Sequence, residues 1–239
     1  MDPSKLTYTF DHNKTKHSLD LVFVPGTRGQ PYLFGESNAQ LRVHIPDFLI
    51  STTLVTQALW THIMATNPSC NRGDRKPLEN VSWLDITAEG GFLARINASK
   101  IFANNLHFRL PSETEWEYAA RGGPNWTDGF RYSGSNDIDA VAWYDRKWGD
   151  HTHDVAQKSP NQLGLFDMSG NVWEWCQDTH MPDIQKIPTD GTPYSGDGDE
   201  RILRGGCFHN WPQHCTVFKR YEIAKDFHDG CIGLRLVLS

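Results

Sequence analysis

Apolar and polar positions alternate toward both ends of the chain, while the stretch between follows a helical repeat. Leu19, Leu21 and Phe23 alternate with Asp20 and Val22, and Leu41, Val43 and Ile45 with Arg42 and His44, predicting two half-buried strands. Ile232, Leu234, Leu236 and Leu238 alternate with Gly233, Arg235 and Val237, predicting a closing strand. Three short helices are expected between them. Thr56 caps a pattern of Ala58, Leu59 and Ile63, and Ser82 caps one running from Trp83, Leu84 and Ile86 to Phe92 and Leu93 across Gly90 and Gly91. Ser112 and Glu115 form a capping box, in which each side chain satisfies a free amide of the other's turn, and Gly122 and Gly123 end that helix.

From Gly134 onward periodicity fades apart from short apolar pieces such as Val141 to Tyr144, and Gly, Asp, Asn, His and Trp dominate. This composition predicts an irregular half held by aromatic packing, with the polar stretch Thr189 to Glu200 as an exposed loop. With 239 residues, 38% of them hydrophobic, and no Pro/Ser-rich linker, a single α+β domain over residues 1–239 is expected.

A formal charge of -6 disfavours nucleic acid and anionic membrane as partners. The longest apolar runs, Leu21 to Val24 and Phe48 to Ile50, fall far short of the roughly 20 residues that span a bilayer. Met1 to Phe10 has neither a basic start nor an apolar stretch, so no secretory signal is read there. The five cysteines are Cys70, Cys176, Cys207, Cys215 and Cys231; with no close Cys-x-x-Cys pair, neither a zinc site nor a full disulfide framework is expected. His151 and His153 lack a third metal ligand and read as solvent-facing, and Arg72-Gly73-Asp74 reads as a turn.

Five stretches occur in an order that resembles the formylglycine-generating-enzyme, or sulfatase-modifying-factor, family. They are Asn80-Val-Ser-Trp83, the run from Arg109 to Gly123, the run from Pro160 to Trp175, Arg204-Gly-Gly206 and Gly233-Leu-Arg235. The resemblance implies a C-type lectin-like fold, a small twisted sheet and few helices under much irregular structure. The family's enzymes oxidise a sulfatase cysteine using copper held by two thiolates after the Arg-Gly-Gly motif. Here Cys215 falls at the second position, but Asn210 occupies the first. An amide is a poor substitute for the paired thiolates that cuprous ion prefers, so the chain is expected not to be an enzyme. A formylglycine-generating oxidase with an altered copper site is the alternative. By the same resemblance, Asp167, Gly170, Val172 and Glu174 correspond to a calcium site, two carboxylates and two carbonyls for a hard cation. Bonds to backbone amides would equally account for both acids. No cofactor is expected to be required, with calcium as the structural candidate.

The run from Arg201 to Gly206 and the run from Ile232 to Ser239 bracket 25 residues, Cys207 to Cys231, and this end resembles the variable proteins of diversity-generating retroelements. In those systems errors at template adenines vary the interior while the frame stays fixed. An Asn codon altered only at adenines cannot yield Trp, Gln, Lys or Glu, so Trp211, Gln213, Lys219, Glu222 and Lys225 come from other codons or are invariant. Five of the 25 positions are aromatic, against 12% of the chain, and they follow neither a helical nor a strand period. Rings interleaved with polar groups are the chemistry of a paratope. The expected ligand-binding residues are Phe208, His209, Asn210, Trp211, Gln213, His214, Phe218, Lys219, Tyr221, Glu222, Ile223, Phe227 and His228. Pro212, Cys215, Val217, Arg220 and Asp226 are expected to be fixed scaffold.

The function expected is therefore recognition of a protein or glycan through a diversified C-terminal region, without membrane insertion. The resemblance implies a cell-surface or secreted setting. An inactive relative filling a place in an assembly is a further alternative.

Overall fold

A computed structural model describes residues 5–37, 39–102, 106–124, 129–147 and 149–239. The chain opens with an antiparallel hairpin, β1 (Lys5–His12) and β2 (Thr15–Val24), followed by a smaller one, β3 (Tyr32–Phe34) and β4 (Leu41–Val43). β5 (Phe48–Ser51) pairs with β2. Three helices follow, α1 (Gln57–Met64), α2 (Trp83–Thr87) and α3 (Phe92–Ala98), then β6 (Phe108–Arg109), α4 (Glu113–Ala120) and the single turn α5 (Ile138–Val141). The last strands are β7 (Trp173–Thr179), β8 (Glu200–Arg204), β9 (Arg220–Ala224), β10 (Ile232–Gly233) and β11 (Val237–Leu238). They assemble into a five-stranded sheet, β1-β2-β5-β11-β6, and a four-stranded sheet, β10-β7-β8-β9. This is the α+β, C-type lectin-like arrangement.

The expected caps are all present: Thr56 accepts from the Leu59 amide, and Ser82 and Ser112 each close a capping box, with Asp85 and Glu115. The helix expected from Ser82 to Leu93 is instead two, α2 and α3, because Gly90 adopts φ 75° and the chain restarts at Gly91. The apolar piece from Val141 begins as the end of α5.

The closing alternation also resolves differently. It is not one half-buried strand but two short ones, β10 parallel to β7 in one sheet and β11 antiparallel between β5 and β6 in the other. All positions from Ile232 to Leu238 are buried. Ile232, Leu234, Leu236 and Leu238 join one core cluster, while Val237 joins the other. Arg235 is buried because both oxygens of Glu174 and the carbonyls of Ser51 and Phe166 accept from its guanidinium. The same Glu174 accepts from the Trp116 indole at 2.8 Å, joining three of the recognised stretches in one buried polar network.

Candidate functional site

The segment from Cys207 to Cys231 leaves the four-stranded sheet at the end of β8 and returns through β9. Arg204, fully buried, pairs with Glu117, lies 3.6 Å from Glu113, and donates to the carbonyls of Val217 and Phe218 at 2.9 Å each. Gly206 then adopts φ 76°, where an added Cβ would stand 2.7 Å from Cys215 Sγ and 2.8 Å from the His214 carbonyl. The chain thus folds directly over its own continuation. Phe208 donates to the Asn171 carbonyl at 2.9 Å, and the amides of Asp145 and Arg146 donate to the carbonyls of Asn210 and Phe208 at 2.8 Å. A 3-10 turn at Pro212–His214 follows. β9 is fixed from the side by Arg220, which donates to both oxygens of Glu113 at 2.7 and 2.8 Å. The exit is held where Asn80 donates to the Asp229 carbonyl and Trp173 to that of Cys231.

Over this pinned backbone some of the side chains face solvent. Trp211 is 64% exposed, and Tyr221 and Phe227 are 43% exposed each; among the described residues these are the exposed large hydrophobic side chains, and all three fall in the segment. Gln213, Glu222 and His228 are exposed, and His209, Asn210, His214, Phe218, Lys219 and Ile223 are half-buried. Tyr221 stacks on Trp173, ring centroids 5.4 Å apart. Phe218 and Lys219 line one wall of a groove of about 430 Å³, whose other wall comes from Gly35, Ala39 and Ile184.

Phe208 corrects the expectation. It is 7% exposed and belongs to the main core cluster, so its ring adds packing rather than contact area. Of the expected scaffold positions, Cys215 and Val217 are buried and Pro212 and Arg220 half-buried, whereas Asp226 is exposed. His153 is likewise not solvent-facing: its ring stacks on Trp143 at 3.9 Å, and burial, with His151 adding to it, pushes its pKa down to about 4. Trp173, Gly35, Ala39 and Ile184 escaped sequence reasoning, because only tertiary folding brings them to the segment.

Neither expected metal set is a simple fit. Glu174 is neutralised by Arg235, and it bonds to side chains rather than to backbone amides. Asp167 accepts from the Ala156 amide at 2.9 Å, but burial outweighs this bond and pushes its carboxyl up to about 6. A hard cation would relieve that buried charge, so the oxygen set suits calcium at its Asp167 side. For copper, Cys215 is sealed, burial pushes its thiol well above the usual range, and the amide at Asn210 offers no second sulfur.

The family model for the sulfatase-modifying factor enzyme 1-like domain matches residues 8–239. The chaperone protein LppX of Paenibacillus barcinonensis is 34% identical over 241 residues, 80% of this chain and 79% of that protein. The formylglycine-generating enzyme of Streptomyces coelicolor is 32% identical over 177 residues, 66% of this chain but only 51% of the enzyme. Among solved structures, Treponema denticola variable protein 1 superposes with a TM-score of 0.81 at 26% identity, covering 98% of this chain and 99% of the other.

Proposed function

The chain belongs to the sulfatase-modifying factor enzyme 1-like family, and from that premise we propose that it is a ligand-binding protein whose segment from Cys207 to Cys231 forms a diversified recognition surface for a protein or glycan. The observation that carries this reading is that Trp211, Tyr221 and Phe227, the exposed large hydrophobic side chains of the described structure, all lie in that one segment. Exposed rings are the usual anchors of an interface, since they supply contact area at small entropic cost. His209, Asn210, Gln213, His214, Phe218, Lys219, Glu222, Ile223 and His228 supply polar and rim contacts around them, with Phe208 beneath. The likeness to a variable protein supports diversification of this surface. Variation there is compatible with folding, because exposed substitutions change stability by about 0.5 kcal/mol, whereas buried ones cost about 2–5 kcal/mol.

Recognition of this kind involves no covalent chemistry, and no catalytic residue is assigned. The names of some relatives favour an oxidase instead, but Asn210 and the sealed Cys215 leave that reaction without its pair of thiolates. Calcium, where bound, is structural: Asp167 with the carbonyls of Gly170 and Val172 would hold it, Glu174 being taken by Arg235 and Trp116, and the face would not use it directly.

Protein and glycan arrays probed with the chain and with a Trp211→Ala/Tyr221→Ala/Phe227→Ala variant test the reading. Binding that is lost in the folded variant supports it, and binding that survives unchanged removes it. Genomic DNA adds an independent check on diversification. A near-repeat of the 207–231 coding segment that differs chiefly at adenines is expected beside a reverse-transcriptase gene.

A further inference from the structure

Cys207 and Cys231 are 24 positions apart in sequence, yet the fold sets them side by side at the base of the segment. Their sulfurs and a ring nitrogen of His209 all lie within 4.8 Å of one another, with both cysteines buried and His209 half-buried. Each cysteine is placed by backbone bonds from either side of the start of β7: Asn171 accepts from Phe208 next to Cys207, and Trp173 donates to the Cys231 carbonyl. Two further oxygens converge on the sulfurs, Asp229 Oδ1 at 2.8 Å from Cys231 Sγ and Asn210 Oδ1 at 3.1 Å from Cys207 Sγ. Asp229 is exposed, which leaves a route from solvent to the cluster.

From this geometry we propose that Cys207, Cys231 and His209 bind a zinc ion, with the exposed Asp229 carboxylate, now against Cys231 alone, turning in as fourth ligand. Four donors of mixed S, S, N and O type match the tetrahedral preference and borderline softness of zinc, whereas cuprous ion favours sulfur alone at low coordination. Tetrahedral zinc with bonds of about 2.0–2.3 Å sets its ligands roughly 3.3–3.8 Å apart, so Cys207, His209 and Cys231, whose donor atoms lie within 4.8 Å of one another, close by about 1–1.5 Å at most. On binding, each thiol gives up its proton to solvent and its sulfur lone pair to the metal. The Cys231 thiol donates to Asp229 in the metal-free chain, and once its proton has left, the thiolate and that carboxylate share the cation. The site is distinct from the copper position expected at residues 210 and 215, since its sulfurs are Cys207 and Cys231. It ties the start and end of the segment together, so the backbone beneath the variable side chains becomes a closed loop. The proposal holds whether or not the face binds a protein or glycan.

The test uses the full chain, reduced and stripped of metal. Titration with cobalt(II) is expected to saturate at about one equivalent, with thiolate charge-transfer absorption and tetrahedral visible bands that zinc(II) then abolishes. Zinc is also expected to protect Cys207 and Cys231 from alkylation, mapped by mass spectrometry, while exposed Cys70 stays reactive. Cys207→Ser and Cys231→Ser should each weaken zinc binding by at least about 100-fold, more than the loss of an outer-shell partner costs, and Cys70→Ser should leave it unchanged. Because protection is read on the unsubstituted chain, a variant that fails to fold does not blunt the test. The proposal is overturned by the absence of a cobalt–thiolate band together with equal alkylation in the two states. Retention of copper(I) but not zinc, or a Cys207–Cys231 disulfide that re-forms in the presence of zinc, would overturn it equally.

Discussion

Phe208 and Trp211 stand three positions apart in the same irregular segment, and the fold uses them in opposite ways. Phe208→Ala would open a void in the core and is expected to lower stability by about 3–5 kcal/mol. Trp211→Ala removes a ring that is 64% exposed and should stay within about 0.5 kcal/mol. Urea unfolding of the two variants checks the contrast, and a costly Trp211→Ala would place that ring in the core. Asp178 carries a second prediction at this scale. Its carboxylate accepts from the amides of Glu113 and Tyr194, but burial first and then the Glu113 charge push its pKa up to about 7. A carboxyl with a raised folded-state pKa stabilises the fold fully below its unfolded value, near pH 4, and that contribution is lost as pH rises through about 7. Asp178→Asn, neutral at every pH, should therefore lack this part of the decline. Relative to the unsubstituted chain, its melting temperature should be lowest near pH 4 and should recover by pH 8; a constant difference would rule the titration out.

At the scale of elements, the caps were readable because Ser82, Ser112 and Thr56 act on amides three residues away. A local signal is enough for a local bond. The closing alternation misled because it reports only which positions are apolar. Two cores on either side of Ile232 to Leu238 bury both sets, and Glu174 neutralises Arg235 between them. The turn after β8 depends on one glycine. Gly206→Ala combines an unfavourable φ of 76° with a contact of 2.7 Å to Cys215 Sγ, so a loss of at least about 2 kcal/mol is expected. Adding Cys215→Ala should return the part due to the sulfur contact but not the part due to φ and to the His214 carbonyl at 2.8 Å. Thermal unfolding of the single and double variants separates the two, and equal stability of the single variant and the parent would show that the turn relaxes.

At the scale of the whole molecule, the structure separates a buried charged frame from the surface it presents. Arg204 binds Glu117 and the carbonyls of Val217 and Phe218, so Arg204→Met would strip Glu117 of one of its two arginines, leaving it Arg121, and take the donor from both carbonyls, and should cost about 3–5 kcal/mol. By contrast, alanine at Trp211, Gln213, Tyr221 and Phe227 together should cost no more than about 2 kcal/mol, four exposed changes of about 0.5 each. In a chain of 239 residues that is a shift of roughly 4–8 °C in melting temperature. A larger shift for the fourfold variant than for Arg204→Met would show that the segment is part of the core. The family, the capped helices and the segment with its excess of rings were all determined by the sequence itself, since each rests on residue types at short, ordered spacing. Only the tertiary structure decided which of those rings face water, which strands bury both sides, and that Cys207, His209 and Cys231 meet. Those outcomes depend on what distant stretches place opposite each residue, and spacing along a chain carries no record of that.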